Sequence, residues 1–387
     1  MSIRSVDVIG VGSTSYGKLK NQDIVSIAVD ACNQAFVDSG MPRKNIQALY
    51  LGNFIGERLA NQGALAPIVA GRLGLAGIPC TKIEGACASG GIAIRHAFLT
   101  VAYGIYDFVL VAGVEKMTES NTGDVTAALA TASEETLEMK TGLTFPGAFA
   151  MIMREHMSRF GTTREQIALV SVKNHNNGMS NPKSQFNKST NLQEVVTSRV
   201  IADPIRLFDC PPISDGASAA IICASDLAKD FNSNSVRIIG SGHASGPATI
   251  TGMVDLTSFT ATSLAAEEAY MMADIRPSDI STAEVHDCFT IAEIIATEDL
   301  GFYPKGDAAA ALEQGESNLE GKLPINPSGG LIAKGHPVGA SGVGQIYELV
   351  HQLRGTSANQ VKQAELALAH NLGGCGAVAT VHVLGRT

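Results

Sequence analysis

Two stretches far apart in the chain carry the same pattern. SVDVIGVGS (Ser5 to Ser13) and SVRIIGSGH (Ser235 to His243) are displaced by 230 residues, and each is an apolar, β-branched run closing on Gly-x-Gly. A helical pattern follows each, IVSIAVDACNQAFVDSG or SLAAEEAYMMADI, then a proline (Pro42, Pro277) and a second strand-like run, IQALYLGNF or ISTAEVHDCF. Further on, CASGGIAIRHAFLTVAYG parallels GASGVGQIYELVHQLRG, with Ala88-Ser89-Gly90 lying over Ala340-Ser341-Gly342. The apolar strands DFVLVAGVE and AELALAHNLGG come next. Strands alternating with helices give βαβ units, an α/β class, and mostly parallel sheets covered by helices. A chain that writes such a unit twice is expected to fold as two like halves about a pseudo-twofold axis.

Between the copies lies sequence without a counterpart. Residues 119–205 include the polar run NHNNGMSNPKSQFNKSTN, which reads as loop, and a helix around GAFAMIMREHMSRF. Insertions this long are usually lids or binding elements. CPPISDGASAAIICAS then reads as a turn and the closing strand of the first half. The expected organisation is a first half over 1–118, an inserted loop domain over 119–205, completion of the first half over 206–232 and a second half over 233–387.

Composition limits the function. The 387 residues, 45% hydrophobic, suffice for more than one core. A net charge of −9 lacks the basic face that nucleic acid requires, while leaving room for a small anionic substrate on a local patch. Seven cysteines without a CxxC fit reduced thiols and a cytoplasmic setting. No signal-peptide core, no apolar run of about 18 residues and no peroxisomal ending is visible, so no membrane span is expected.

Three places carry chemistry. Cys87, in EGACASGG, follows a strand-like run and precedes a long helix; there the helix dipole and free N–H groups favour a thiolate and lower its pKa. An arbitrary cysteine is more often a buried structural one, and this position argues otherwise. His336, in NPSGGLIAKGHPVGASGVG, sits in a loop crowded by glycine and proline. Taken alone it could be a turn histidine. The duplication makes its following helix the partner of the one after Cys87, so both helix starts face one cleft and His336 can act as base to the thiol. His286 and Cys288, in HDCF, fall at the C-terminal end of a parallel strand, where open α/β sheets bind ligands. As zinc ligands they would need partners at matching spacing, and none is apparent, so no metal is expected. The glycines of GVGS lack dinucleotide-site spacing.

With these motifs in place the chain resembles the thiolases along essentially its whole length. CASGG is similar to the nucleophile motif, GHPVGASG to the GHPxGxSG motif and NLGGCGA to the glycine-rich loop after the last strand. HDCF stands where most thiolases have Asn-Glu-Ala-Phe, which resembles the sterol-carrier-protein-2-type and archaeal-type thiolases. The resemblance implies a thiolase fold, with duplicated βαβαβαββ halves in five layers (αβαβα) and an inserted loop domain. It implies at least a homodimer, no permanently bound cofactor, and coenzyme A as substrate. Archaeal-type relatives further suggest a small zinc-ribbon/OB-fold partner protein.

The reaction implied is cleavage of a 3-oxoacyl-CoA by CoA, or the reverse Claisen condensation. In it Cys87 is the nucleophile and His336 its base. Cys288 is the second acid/base, and His286 with a water donates to the thioester oxygen. The backbone N–H groups of Cys87 and Gly373 hold the other oxyanion; such donors are worth about 3–4 kcal/mol each. Most thiolases carry the second cysteine in a Cys-x-Gly that aligns here with Asn371-Leu372-Gly373, so the role passes to Cys288 in preference to Cys375. LTFPGAFAM is expected to line the acyl pocket through Phe145, Phe149 and Met151. The rival readings are a ketoacyl-synthase-like enzyme taking carrier-bound substrates and a non-catalytic acyl-CoA-binding scaffold; the intact Cys87, His286, Cys288 and His336 oppose the scaffold.

Overall fold

In the computed structural model, which describes residues 3–232 and 234–387, nine strands share one sheet and two form a separate ribbon. The strands of the first half are β1 (Val6–Ser13), β2 (Ala48–Gly52), β3 (Cys80–Ile83) and β4 (Phe108–Glu115). The ribbon is β5 (Val200–Ala202) and β6 (Ile205–Arg206), and β7 (Gly216–Ala224) closes that half. The second half supplies β8 (Val236–Ser245), β9 (Thr282–Glu284), β10 (Leu366–Gly373) and β11 (Val378–Arg386). Across the sheet they run β3-β2-β4-β7-β1-β8-β11-β10-β9, one half mirrored in the other. At the far edge Ile325 bridges Ala283 in parallel, taking the place that β3 holds in the first half.

The seam fixes the duplication's axis. β1 and β8 pair antiparallel as Val6↔Ile238, Asp7↔Arg237 and Val8↔Val236. At the displacement read from the sequence, Asp7 and Arg237 are each other's repeat partners, so the local twofold passes between them. Arg237 Nε donates to Asp7 Oδ1 there at 3.0 Å, and the hydroxyls of Ser225 and Ser235 also bond this buried carboxylate.

The sheet is less parallel than expected. Among the described residues only β2–β3, β2–β4 and β9–β10 are parallel ladders. The last strand of each half, β7 or β11, returns antiparallel between its half's first strand (β1 or β8) and β4 or β10, and the seam is antiparallel as well.

Three large apolar interiors, with a smaller fourth beside Cys87, hold five layers together. In the middle, Ile92, Ile94 and Phe98 of the helix Ser89–Ala102 and Val343, Ile346 and Leu349 of the helix Ser341–Arg354 lie between the two half-sheets. They meet Val109 and Val111 on one side and Ala367 and Ala369 on the other. Leu110, one residue out of phase, faces the outer helices Ile24–Ser39 and Leu65–Arg72, as strand alternation requires. Leu368 likewise faces the helices Thr260–Ala273 and Thr290–Asp299. This is the αβαβα arrangement.

Between β4 and its sheet neighbour β7 the chain leaves the sheet for the helices Thr122–Leu129, Phe145–Phe160, Arg164–Gly178 and Leu192–Thr197 and the ribbon. The polar run expected as loop is helical over its first five residues, Asn174 to Gly178. Its polarity serves the interior. Asn174 Nδ2 donates to Asp287 Oδ2 (2.7 Å) and Glu293 Oε2 (2.9 Å), and Asn177 Nδ2 to the Asn326 carbonyl (3.0 Å). The expected boundary at residue 233 falls outside the described residues.

Candidate active site

The two central helices begin almost in contact. A Cβ on Gly90 would lie 2.9 Å from the Gly339 carbonyl oxygen, and one on Gly342 only 2.3 Å from the Gly91 nitrogen, so these positions admit only glycine. The crossing presses the loop 335–340 against the turn 85–88. Cys87 occupies that turn, just before the helix Ser89–Ala102. Ser89 holds the turn by donating to the Ala86 carbonyl (2.6 Å) and accepting from the Gly85 N–H (3.0 Å). Glu115, at the end of β4, ties the other side, accepting from Asn53 Nδ2 (2.8 Å), Phe54 N (3.0 Å) and Gly339 N (3.2 Å). Burial outweighs these bonds and raises its carboxyl to about 7.

Cys87, His286 and His336 converge: a sulfur and two ring nitrogens all lie within 4.8 Å of one another. The two imidazoles are nearly perpendicular, with centroids 5.0 Å apart. His336 Nδ1 lies 2.8 Å from Ser341 Oγ, whose own proton goes to the Pro337 carbonyl (3.1 Å). His336 therefore carries its proton on Nδ1 and keeps a lone pair on Nε2. Ser214 Oγ accepts its backbone N–H at 3.0 Å. Burial pushes His336 down to about 3 and, with the neighbouring His336 and His370, holds His286 well below its ordinary value. Both rings are neutral at physiological pH.

Asn371, at the end of β10, binds three parts of the site. Its Oδ1 accepts from Gly91 N (3.1 Å), and its Nδ2 reaches the Cys87 carbonyl (3.0 Å) and His286 Nδ1 (3.0 Å). Beside it, a Cβ on Gly373 would sit 2.4 Å from the Gly85 carbonyl oxygen, which places the glycine-rich loop directly against the turn that carries Cys87.

The expected low pKa of Cys87 is reversed. Desolvation dominates, a backbone hydrogen bond from Gly374 opposes it, and the Glu115 charge adds to it, so the thiol is pushed up to about 12. The helix dipole is worth at most about 2 kcal/mol and does not overcome the burial. Gly374, absent from the sequence reading, thus joins the donors facing this sulfur. The residue itself retains some accessible surface.

Comparison with known proteins gives the family. Residues 6–226 match the family described as thiolase, N-terminal domain, and residues 242–386 the thiolase C-terminal domain-like family. The chain belongs to the thiolase family. It is 44% identical over 385 residues to an acetyl-CoA acetyltransferase of Methanothermobacter thermautotrophicus, covering 99% of this chain and 100% of that one. It is 36% identical over 396 residues to bovine (Bos taurus) sterol carrier protein 2, covering 98% of this chain and 72% of the relative. Among solved structures, an Ltp2-ChsH2(DUF35) aldolase superposes with a TM-score of 0.86 at 25% identity, over 100% of this chain and 99% of that one.

The remaining residues of this thiolase's site sort by burial. Cys288 is buried, and its thiol is held well above the ordinary value by desolvation, then by the nearby charges of Cys87, Cys375 and Asp287. Cys375 is raised by desolvation, Glu138 and Cys87. Both thiols therefore feel Cys87. Asp287, between His286 and Cys288, is structural: it accepts from the N–H groups of Leu331 (2.6 Å) and Ile332 (3.3 Å), at the start of the short helix Gly330–Lys334 that leads into His336.

The pocket expectation is corrected in part. Phe145 packs partly buried against the core of the second half. Phe149 is fully buried, stacked on Phe289 at 4.5 Å, and belongs to the interior. Met151 is 39% exposed, because two helical residues beyond Phe149 is the opposite face; Ile152 and Met153 point inward instead. A cavity of about 600 Å³ lined by Gln185, Phe186, Lys188, Phe208 and Pro212 lies near the histidine loop. Its Gln185 accepts from Ser214 Oγ (2.6 Å), the hydroxyl that holds His336. A larger hollow of about 760 Å³, around Tyr270 and Pro277, has no contact with these residues. No described helix is long and apolar enough to cross a membrane.

Proposed function

We propose that this thiolase is an acyltransferase of the acetyl-CoA acetyltransferase type, acting on CoA thioesters through an acyl-Cys87 intermediate. The observation that carries the reading is the convergence of the Cys87 sulfur with His286 and His336 inside 4.8 Å. In the cleaving direction His336 Nε2 takes the thiol proton as Cys87 attacks the 3-keto carbon. The backbone N–H groups of Cys87, Gly373 and Gly374 hold the resulting alkoxide. Its collapse breaks the C2–C3 bond, and the electron pair passes to the acetyl-CoA enolate. His286 Nε2–H donates to the enolate oxygen, and Cys288 supplies the proton to carbon. The Cys288 thiolate then takes the proton of a second CoA thiol, whose sulfur accepts the acyl group, and His336 returns its proton to the departing Cys87 sulfur. The condensation runs these steps backwards.

The buried, neutral histidines support the assignment, since a base and a donor are needed and neither should carry charge before the reaction. The CoA arm is assigned to the cavity at Phe186 and Phe208, whose Gln185 is linked through Ser214 to His336. A homodimer or larger assembly in the cytoplasm and a small zinc-ribbon/OB-fold partner complete the reading. The DUF35 component named for the superposed aldolase supports a partner. Light scattering of the purified protein, alone and after co-purification, tests both.

Thiolysis assayed across a panel of 3-oxoacyl-CoA substrates tests the function. Activity on at least one, abolished by Cys87→Ala, is expected. Undiminished turnover in that variant, or acceptance of carrier-bound substrates alone, would overturn it.

A further inference from the structure

We infer that Asn371 is the positioning residue that keeps His286 a hydrogen-bond donor, so that this one amide selects an oxyanion hole over a Cys-His-His zinc site. The inference rests on the reading of His286 given above and extends it to metal chemistry.

The amide cannot turn over. Its Oδ1 meets the Gly91 N–H at 3.1 Å and its Nδ2 meets the Cys87 carbonyl at 3.0 Å, and neither backbone group can change role. A flipped amide would set two donors together and two acceptors together. The second Nδ2 hydrogen therefore points to His286 Nδ1, which must accept it at 3.0 Å. The ring proton of His286 is left on Nε2.

This tautomer has a second consequence. One cysteine sulfur and two imidazole nitrogens within 4.8 Å of one another, largely enclosed, form a donor set that zinc favours. A histidine ligates through a bare nitrogen, and ligating histidines donate their other N–H to a carboxylate or carbonyl. With Nδ1 taken by Asn371, Nε2 is the nitrogen His286 has left for a metal, and it carries the proton, a donor where a zinc site places an acceptor. Cys87 and His336 remain a two-ligand fragment, and the nucleophile stays free for acyl transfer.

Asn371→Asp reverses the arrangement with little change of shape, although the oxygen replacing Nδ2 also meets the Cys87 carbonyl. The carboxylate would accept from His286 Nδ1–H, bare Nε2 and complete the three ligands. The test titrates purified wild type, Asn371→Asp and Asn371→Asp/His286→Asn with Zn²⁺, and with Co²⁺ as an optical probe. Asn371→Asp is expected to gain cobalt–thiolate charge-transfer absorption and at least about tenfold in zinc affinity, the scale on which outer partners tune metal sites. It should lose about 10²–10³ in kcat/KM through the missing oxyanion donor. Wild type and the double variant should show neither gain. Should Asn371→Asp fail to fold, Asn371→Ala frees the ring to present either nitrogen, and its zinc affinity must exceed that of wild type. Wild type binding zinc as tightly as Asn371→Asp, or a gain that survives loss of His286, overturns the inference. A fully active His286→Asn would overturn the catalytic role of His286 alone, because metal uptake reports the tautomer without turnover.

Discussion

The resting state of Cys87 and His336 can be tested by pH. The gap between about 12 for the thiol and about 3 for the imidazole corresponds to roughly 12 kcal/mol at about 1.4 kcal/mol per pKa unit. Attraction between the charged forms at about 4 Å returns about 4 kcal/mol at an effective dielectric near 20. Some accessible surface at Cys87 reduces the gap further, yet several kcal/mol still favour the neutral pair. On the proposed mechanism the thiolate is therefore made during the reaction, with the proton passing to His336 as the carbon–sulfur bond forms. Alkylation of Cys87 by iodoacetamide, followed by peptide mass spectrometry, reads this directly. The rate should climb about tenfold per pH unit from about pH 6 to above about pH 9 without a plateau, because only the thiolate reacts. A plateau already present near pH 6–7 would mean a standing thiolate–imidazolium pair and would refute the burial argument.

Other substitutions separate the remaining assignments. Cys288→Ser should lower turnover by about 10²–10⁴, the scale of a lost proton donor, while Cys375→Ser stays within a few-fold; the opposite pattern in steady-state thiolysis moves the acid/base role to Cys375. Phe149→Ala should cost about 3–5 kcal/mol in urea denaturation and Met151→Ala within about 0.5, since one ring is stacked in the core and the other side chain faces out. His382 is held at about 4 by burial, so below about pH 6.5 the unfolded chain binds a proton that the folded chain does not. Stability should fall with pH toward about 4, and His382→Gln should remove up to about 1.4 kcal/mol per pH unit of that slope; an unchanged slope would contradict the burial.

What the sequence made legible was whatever repeats or whatever is local. The displacement of the Gly-x-Gly strands gave two like halves about a pseudo-twofold, and the duplication set the helix starts at Cys87 and His336 facing one cleft. Strand direction was not visible, because β7 and β11 carry the same apolar pattern whichever way they run. Met151 was placed by proximity along the chain when the helical period decided its face. The thiol's pKa was misread because a helix start shows in sequence and desolvation does not. Asn371 showed only as the residue standing where a cysteine was expected. Its three partners are 280, 284 and 85 residues away, so its part in the site could be read only from the fold.

The central claim is that the acyl group passes through one sulfur. Mixing the enzyme with acetyl-CoA, quenching in acid and sequencing peptides by mass spectrometry should find one acetyl group per chain, on Cys87, discharged by added CoA at the rate of turnover. An acetyl group on Cys288 or Cys375, or turnover with no acylated Cys87, would contradict the account.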